Sequence, residues 1–287
     1  MKLVNLRLTL RLRIVINGNP PNSPAVGLRS VSTFVPRDIL DQVDQKKPLA
    51  NSVNLYSRHF SVSTGAYNWP STVKDDIHYG PASNNPSFRL SQFVVDWAKV
   101  MKPNKNVVYT KSSHRSTLPC VHVYPDNVRI TFNSSTQDQV KKFQSAWIFG
   151  EEEQLDFVTV EKIPKNTVHI YVCTHGARDQ RCGVIGRLLI ERFKDYETGT
   201  LQVFGCSHIG GHKFAGNMVI YRPEWKQGIW YGRVLPDDVE KIMQETVFNG
   251  KILGQHWRGG LPDGTWDPKQ HMTAGDAEKI DANRCCQ

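Results

Sequence analysis

The run Val168-His169-Ile170-Tyr171-Val172-Cys173, followed by the stripe Val184, Ile185, Leu188, Leu189 and Phe193, constrains this chain more than any other feature. A short, nearly continuous apolar run is the pattern of a strand covered on both faces, and apolar residues three and four apart mark a helix that buries one side. A buried strand leading into such a helix points to an α/β layer. Strands are expected next around Leu201 to Phe204, Met218 to Tyr221 and Ile229 to Val234. A closing helix begins at Pro236-Asp237-Asp238, buries Val239, Ile242, Met243 and Val247, and stops at Asn249-Gly250.

The first half gives the same succession. A strand runs from His59 to Ala66, and a helix carries Phe93, Trp97, Val100 and Met101 before Pro103. Val107 to Thr110 reads as a strand, and Val121 to Tyr124 with Val128 to Phe132 flank the turn residues Pro125-Asp126-Asn127. Val140, Phe143 and Trp147 mark a further helix. Each half runs strand, helix, strand, strand, strand, helix, an order that resembles a thioredoxin-like α/β unit. The expected fold is α/β with two tandem thioredoxin-like lobes, 38–150 and 151–260, between a basic leader, 1–37, and a polar tail, 261–287.

The 287-residue chain carries a formal charge of +9, but Lys2, Arg7, Arg11, Arg13, Arg29 and Arg37 all precede the first acidic residue, Asp38. Six of the nine charges therefore belong to the leader, and the rest shows no interleaved basic and aromatic stripe of a nucleic-acid surface. An acid-free segment rich in Arg, then Ser and Pro, is the composition of a mitochondrial presequence read by the import machinery. An N-terminal edge strand is the other reading, since Leu6 to Ile14 alternates with period two. No run of eighteen apolar residues occurs, so insertion into a membrane is not expected. Six cysteines without secretory features point to metal or redox chemistry rather than a disulfide framework.

Two segments concentrate that chemistry. Cys173-Thr174-His175-Gly176-Ala177-Arg178-Asp179-Gln180-Arg181-Cys182 places thiols on either side of a strand-to-helix loop, and Cys206-Ser207-His208-Ile209-Gly210-Gly211-His212 places imidazoles four apart beside paired glycines. Two thiolates with two imidazoles suit zinc or a [2Fe–2S] cluster. Zinc knuckles usually separate paired cysteines by two to four residues, so the longer loop here favours a larger object. Charge agrees: two thiolates neutralise an oxidised cluster core, whereas four would leave it doubly negative, and imidazole substitution raises the potential.

These residues, with the continuation Lys213-Phe214-Ala215-Gly216-Asn217 and the later Trp257-Arg258-Gly259, resemble the sucrase/ferredoxin-like family of thioredoxin-like ferredoxins, in its mitochondrial fungal branch. The resemblance spans about Asn54 to Gly260. It implies a [2Fe–2S] cluster held by Cys173, Cys182, His208 and His212, a thioredoxin-like C-terminal domain, and a role in redox homeostasis rather than substrate turnover. Its partners would be an electron donor and an acceptor protein, neither identified. The word "sucrase" finds no support in the residues, since no carboxylate pair is placed for glycoside chemistry.

Alternatives remain at several positions. A swapped ligand set of Cys173, His175, Cys206 and His208 is conceivable, with His175 and Cys206 otherwise packing or orienting residues. Cys120 reads as a buried apolar thiol and Cys285-Cys286 as free thiols in a polar tail. Arg178, Asp179 and Arg181 read as a solvated loop face or a docking surface, and His256-Trp257-Arg258-Gly259 as a cover over the cluster or an anchor for the C-terminal loop. The first half, whose leading strand ends Ser61-Val62-Ser63-Thr64-Gly65, offers no ligand there and reads as a degenerate scaffold or docking surface. The competing functions are a thiol–disulfide oxidoreductase, against which no Cys-x-x-Cys motif is present, and a zinc-stabilised interaction module.

Overall fold

In the computed structural model the strands are β1 (Arg58–Ser63), β2 (Val107–Ser112), β3 (Cys120–Tyr124), β4 (Val128–Phe132) and β5 (Val158–Lys162), then β6 (Val168–Cys173), β7 (Leu201–Cys206), β8 (Met218–Tyr221), β9 (Ile229–Tyr231) and β10 (Trp257–Gly259). The structure describes residues 34–54, 56–71, 107–134, 136–225 and 228–260. The leader up to residue 33, the helix expected at Phe93 to Met101, the tail and Cys285-Cys286 lie outside the described residues.

The strands form one mixed sheet in the order β10-β9-β8-β6-β7-β2-β1-β3-β4-β5. Only β1 with β2 and β6 with β7 run parallel. From the centre outward the two halves read alike, β2-β1-β3-β4-β5 and β7-β6-β8-β9-β10, and they meet where antiparallel β2 and β7 place Ser112 opposite Cys206. The described residues all fall in one compact unit, so the halves share a sheet rather than standing as separate lobes.

Each half carries helices on one face. Helix α1 (Arg37–Leu40) precedes β1, and α2 (Gln137–Gln144) follows β4 with a π-helical extension, Ser145–Phe149. Thr136 begins α2 with a capping box, accepting from the Gln139 N–H while the Gln139 side chain accepts from the Thr136 N–H. Val140 and Phe143 of α2 pack on Phe60, Val62, Val121, Val123, Val128 and Ile130. Helix α3 (Gln180–Phe193) follows β6 and buries Ile185, Leu189 and Phe193 against Ile170 and Val172, at about 1.5–3 kcal/mol per side chain. The closing helical segment, 236–248, centres on α4 (Val239–Lys241) and joins the same core. Val35, Ile39 and Val43 pack there too, which ties the start of the described chain to the C-terminal half.

The opposite faces of the two half-sheets carry a buried layer of His and Tyr. On β1 and β3, His59, His122 and Tyr124 alternate with core residues; on β6 and β8 their partners are His169, Tyr171 and Tyr221. His59 bonds Tyr221 at 2.7 Å and Thr110 at 2.8 Å, Tyr124 bonds His169 at 2.5 Å and Tyr171 at 3.0 Å, and the Tyr124 and Tyr221 rings stack 3.8 Å apart. β1 and β6 are separated in the sheet by β2 and β7, so these contacts bring its two halves face to face. Hydrogen-bonded networks of this kind fix one arrangement. Burial pushes the His59 pKa down to about 3 and His169 down to about 4, so both imidazoles are neutral at pH 7.

Candidate metal centre

Strand β6 ends on Cys173, whose backbone N–H donates to the Asn217 carbonyl at 2.9 Å. The loop beyond it turns into α3 at Asp179, not near Gly183, because the Asp179 carboxylate accepts the Arg181 N–H at 3.0 Å and caps the helix. Cys182 therefore lies in the first turn of α3, where the helix dipole favours a thiolate. Two glycines bring that turn against the strand. A Cβ on Gly186 would lie 2.1 Å from the Cys173 carbonyl oxygen, and one on Gly183 would lie 2.5 Å from the Gly176 Cα. Without side chains at these positions the helix seats directly on the backbone that follows Cys173.

The donor atoms of Cys173, Cys182 and His208 lie within 4.8 Å of one another. Both thiols are buried and free. Hydrogen bonds from the Cys182 thiol and from His208 hold the Cys173 thiol well below its ordinary pKa despite burial. Cys182 moves up, because it donates to that thiolate and is itself buried. Of the pair, Cys173 is the thiol that holds its proton less tightly. His212 begins the turn His212–Phe214 and is exposed, with its ring centroid 5.3 Å from that of His208.

A second set of residues holds the histidine loop. Arg258, 2% exposed, donates to the Asn217 side-chain oxygen at 2.7 Å and the Gly210 carbonyl at 3.2 Å, and Asn217 donates to the Gly211 carbonyl at 2.9 Å. Gly211, at φ +66°, lies so close that a Cβ there would meet the Arg258 guanidinium at 2.2 Å. Burial pushes the Arg258 pKa down to about 10, opposed by the two thiols. No local sequence signal marked Arg258 and Asn217 as a clamp, because they are forty-one residues apart.

His175 donates from Nε2 to the Trp69 carbonyl at 2.8 Å and accepts the His208 N–H on Nδ1 at 3.1 Å, so both ring nitrogens are in use and it orients His208. Cys206 is buried opposite Cys173 in the β6/β7 ladder, outside the group of converging donors. Arg178 is exposed, whereas Arg181 forms a bidentate pair with Asp179 and donates to the Gln42 carbonyl at 2.8 Å. His256 faces Asp238 at 3.3 Å, and Trp257 and Gly259 pair with β9, which makes this segment an anchor as well as the source of Arg258. Cys120 is buried as expected, but beside His114 and His122 rather than among apolar neighbours alone.

These residues fit an iron–sulfur or metal group. Two thiols face an imidazole, and His208 Nδ1 is buried with no hydrogen-bond partner among the described residues. At Gly210, φ +80°, an added Cβ would meet nothing within 4 Å, which leaves room beside the backbone. Residues 49–259 match the model of the sucrase/ferredoxin-like family. The chain belongs to this family. Among its relatives, Altered inheritance of mitochondria protein 32 from Debaryomyces hansenii is 31% identical over 77% of this chain and 91% of its own length. The protein of the same name from Clavispora lusitaniae is 30% identical over 80% and 89%. Among solved structures, the thioredoxin-like [2Fe–2S] ferredoxin from Aquifex aeolicus aligns with 16% identity, covering 35% of this chain and 98% of its own, at a TM-score of 0.27. A variant of that ferredoxin gives 20% identity, 32% and 98% coverage, and a TM-score of 0.28.

Proposed function

We propose that this sucrase/ferredoxin-like protein holds a [2Fe–2S] cluster through Cys173, Cys182, His208 and His212 and passes single electrons between protein partners in mitochondrial redox homeostasis. The observation that carries the reading is the convergence of Cys173, Cys182 and His208 around a buried, unpartnered imidazole nitrogen. When bound, the cluster supplies one-electron chemistry. The chain's own residues do the rest. Cys173 provides a ready thiolate, Cys182 loses its proton on binding, and Arg258 with Asn217 holds the histidine loop against the sheet. Exposed His212 is the edge through which a partner reaches the centre, and neutral, buried His175 fixes the backbone at His208. The mitochondrial setting rests on the basic leader and on relatives named for mitochondrial inheritance. We read 38–150 as a degenerate thioredoxin-like copy and 151–260 as the cluster-bearing copy.

A separation within 4.8 Å also suits a single zinc ion, which makes the zinc-stabilised module the second reading. Anaerobically purified full-length protein should be reddish-brown, with about two irons and two acid-labile sulfides per chain. Cys173→Ser and His208→Ala should lose both, and His175→Gln should retain them. A colourless wild type holding one zinc, or one with Cys173 and Cys182 joined as a disulfide, would overturn the cluster assignment.

A further inference from the structure

A second group of metal-binding side chains lies in the N-terminal half, away from the centre already described. His114, Cys120 and His122 place their donor atoms within 4.8 Å of one another. Cys120 and His122 are alternate residues of β3 and so project from the same face, while His114 sits in the loop between β2 and β3. The two imidazole rings are 4.8 Å apart between centroids and tilted by 60°.

Each imidazole has one ring nitrogen engaged in a hydrogen bond. His114 Nδ1 bonds the Ser63 hydroxyl at 2.8 Å and His122 Nδ1 bonds the Tyr171 hydroxyl at 2.9 Å. A hydrogen bond on one ring nitrogen fixes the ring and leaves the other for a metal. Among the described residues neither Nε2 makes a hydrogen bond. His122 is buried and His114 half-buried, and Cys120 is wholly buried beside them. A cavity of about 370 Å³ opens against His114 and His122, with His169 and Gln202 further along its wall.

We propose that His114, Cys120 and His122 form a site for a divalent transition-metal ion of the zinc type, with the cavity side open for a fourth, non-protein ligand. One thiolate and two imidazoles select zinc, cobalt or their neighbours over calcium or magnesium. Three protein ligands with one open position is the arrangement of a reactive rather than a purely structural zinc site. Tetrahedral bonding at ordinary zinc–ligand lengths puts donor atoms roughly 3.3–3.6 Å apart, so from separations within 4.8 Å binding draws the group in by at most about 1.5 Å. His114, half-buried in a loop, supplies that movement while the two β3 ligands stay fixed by the sheet.

The test uses the full-length chain and cobalt(II) as the probe. Wild type, His114→Gln, Cys120→Ser and Cys173→Ser are equilibrated anaerobically with cobalt(II) chloride. After removal of free metal, bound cobalt and the visible bands of tetrahedral thiolate-bound cobalt are measured. Wild type and Cys173→Ser should both show the bands and retain about one cobalt that His114→Gln and Cys120→Ser lack. The loop variant His114→Gln carries the test if Cys120→Ser fails to fold. As a second readout, zinc chloride should raise the thermal midpoint of Cys173→Ser and leave that of the Cys173→Ser/His114→Gln double variant unmoved. Equal cobalt uptake by wild type and His114→Gln, or uptake abolished only by Cys173→Ser, would overturn the site.

Discussion

Gly186→Ala tests whether the close seating of α3 is what assembles the two thiols. Alanine favours the helix interior over glycine by about 0.8–1.0 kcal/mol, so propensity alone predicts stabilisation. The structure predicts the reverse. The new Cβ would fall 2.1 Å from the Cys173 carbonyl oxygen, 2.9 Å from its carbon and 3.1 Å from the Thr174 Cα, against an ordinary contact of 3.4 Å or more. The helix must therefore retreat by about 1.3 Å, and because the obstacle is backbone, no side-chain rotation relieves it. Overpacking of this severity costs about 3 kcal/mol, and the helix gain of about 1 leaves a net loss of about 2 kcal/mol. For a domain of this size the thermal midpoint should fall by roughly 4–8 °C. The retreat also carries Cys182 away from Cys173, so iron retained per chain should fall alongside stability. Gly199→Ala, where an added Cβ meets nothing within 4 Å, is the control and should stay within about 0.5 kcal/mol. Thermal unfolding with iron analysis on the three proteins decides the matter. A Gly186→Ala protein as stable as wild type, with its iron intact, would refute the packing argument.

Acid should weaken the His and Tyr layer through His59. Its folded-state pKa is near 3 because of burial, against 6.5 unfolded, so only the unfolded chain takes up the proton between these values. Stability is complete above pH 6.5 and is lost progressively down to about pH 3, with about 2 kcal/mol of that loss between pH 7 and 5. Denaturant unfolding at the two pH values should show a smaller drop for His59→Gln than for wild type, and equal drops would exclude this linkage. Removing residues 1–33, which leaves buried Val35 and Ile39 in place, should preserve the thermal midpoint yet abolish uptake by isolated mitochondria. Normal import of the shortened chain would count against the leader as a targeting signal.

The element pattern was legible because solvent exposure imprints its period on local sequence. Val128–Phe132, Val168–Cys173 and Met218–Tyr221 have the bounds their apolar runs imply, and the α3 stripe faces the core as its spacing requires. β5 and β10 were not read. β5 is an edge strand whose Val160 is 48% exposed beside charged neighbours, and β10 is three residues long, so neither carries enough periodicity to register. The proximity of Cys173, Cys182 and His208 was legible too, since they belong to two short segments whose composition is unusual for packing, whereas His212 stands outside that group of donors.

Tertiary structure alone decided which of those loops' polar residues converge and what else joins them. His175 stands two residues from Cys173 in sequence, yet it is taken up by the Trp69 and Pro70 carbonyls, while distant Arg258 and Asn217 clamp the histidine loop. His114 meets Cys120 and His122 only because β2 and β3 flank β1, and β2 pairs with β7 through Ser112 and Cys206, ninety-four residues apart. A residue's periodic pattern records whether its own side faces water. It holds no record of which strand lies alongside, because that choice is made by the complementarity of whole surfaces, here two half-sheets that bury a hydrogen-bonded layer of histidine and tyrosine between them.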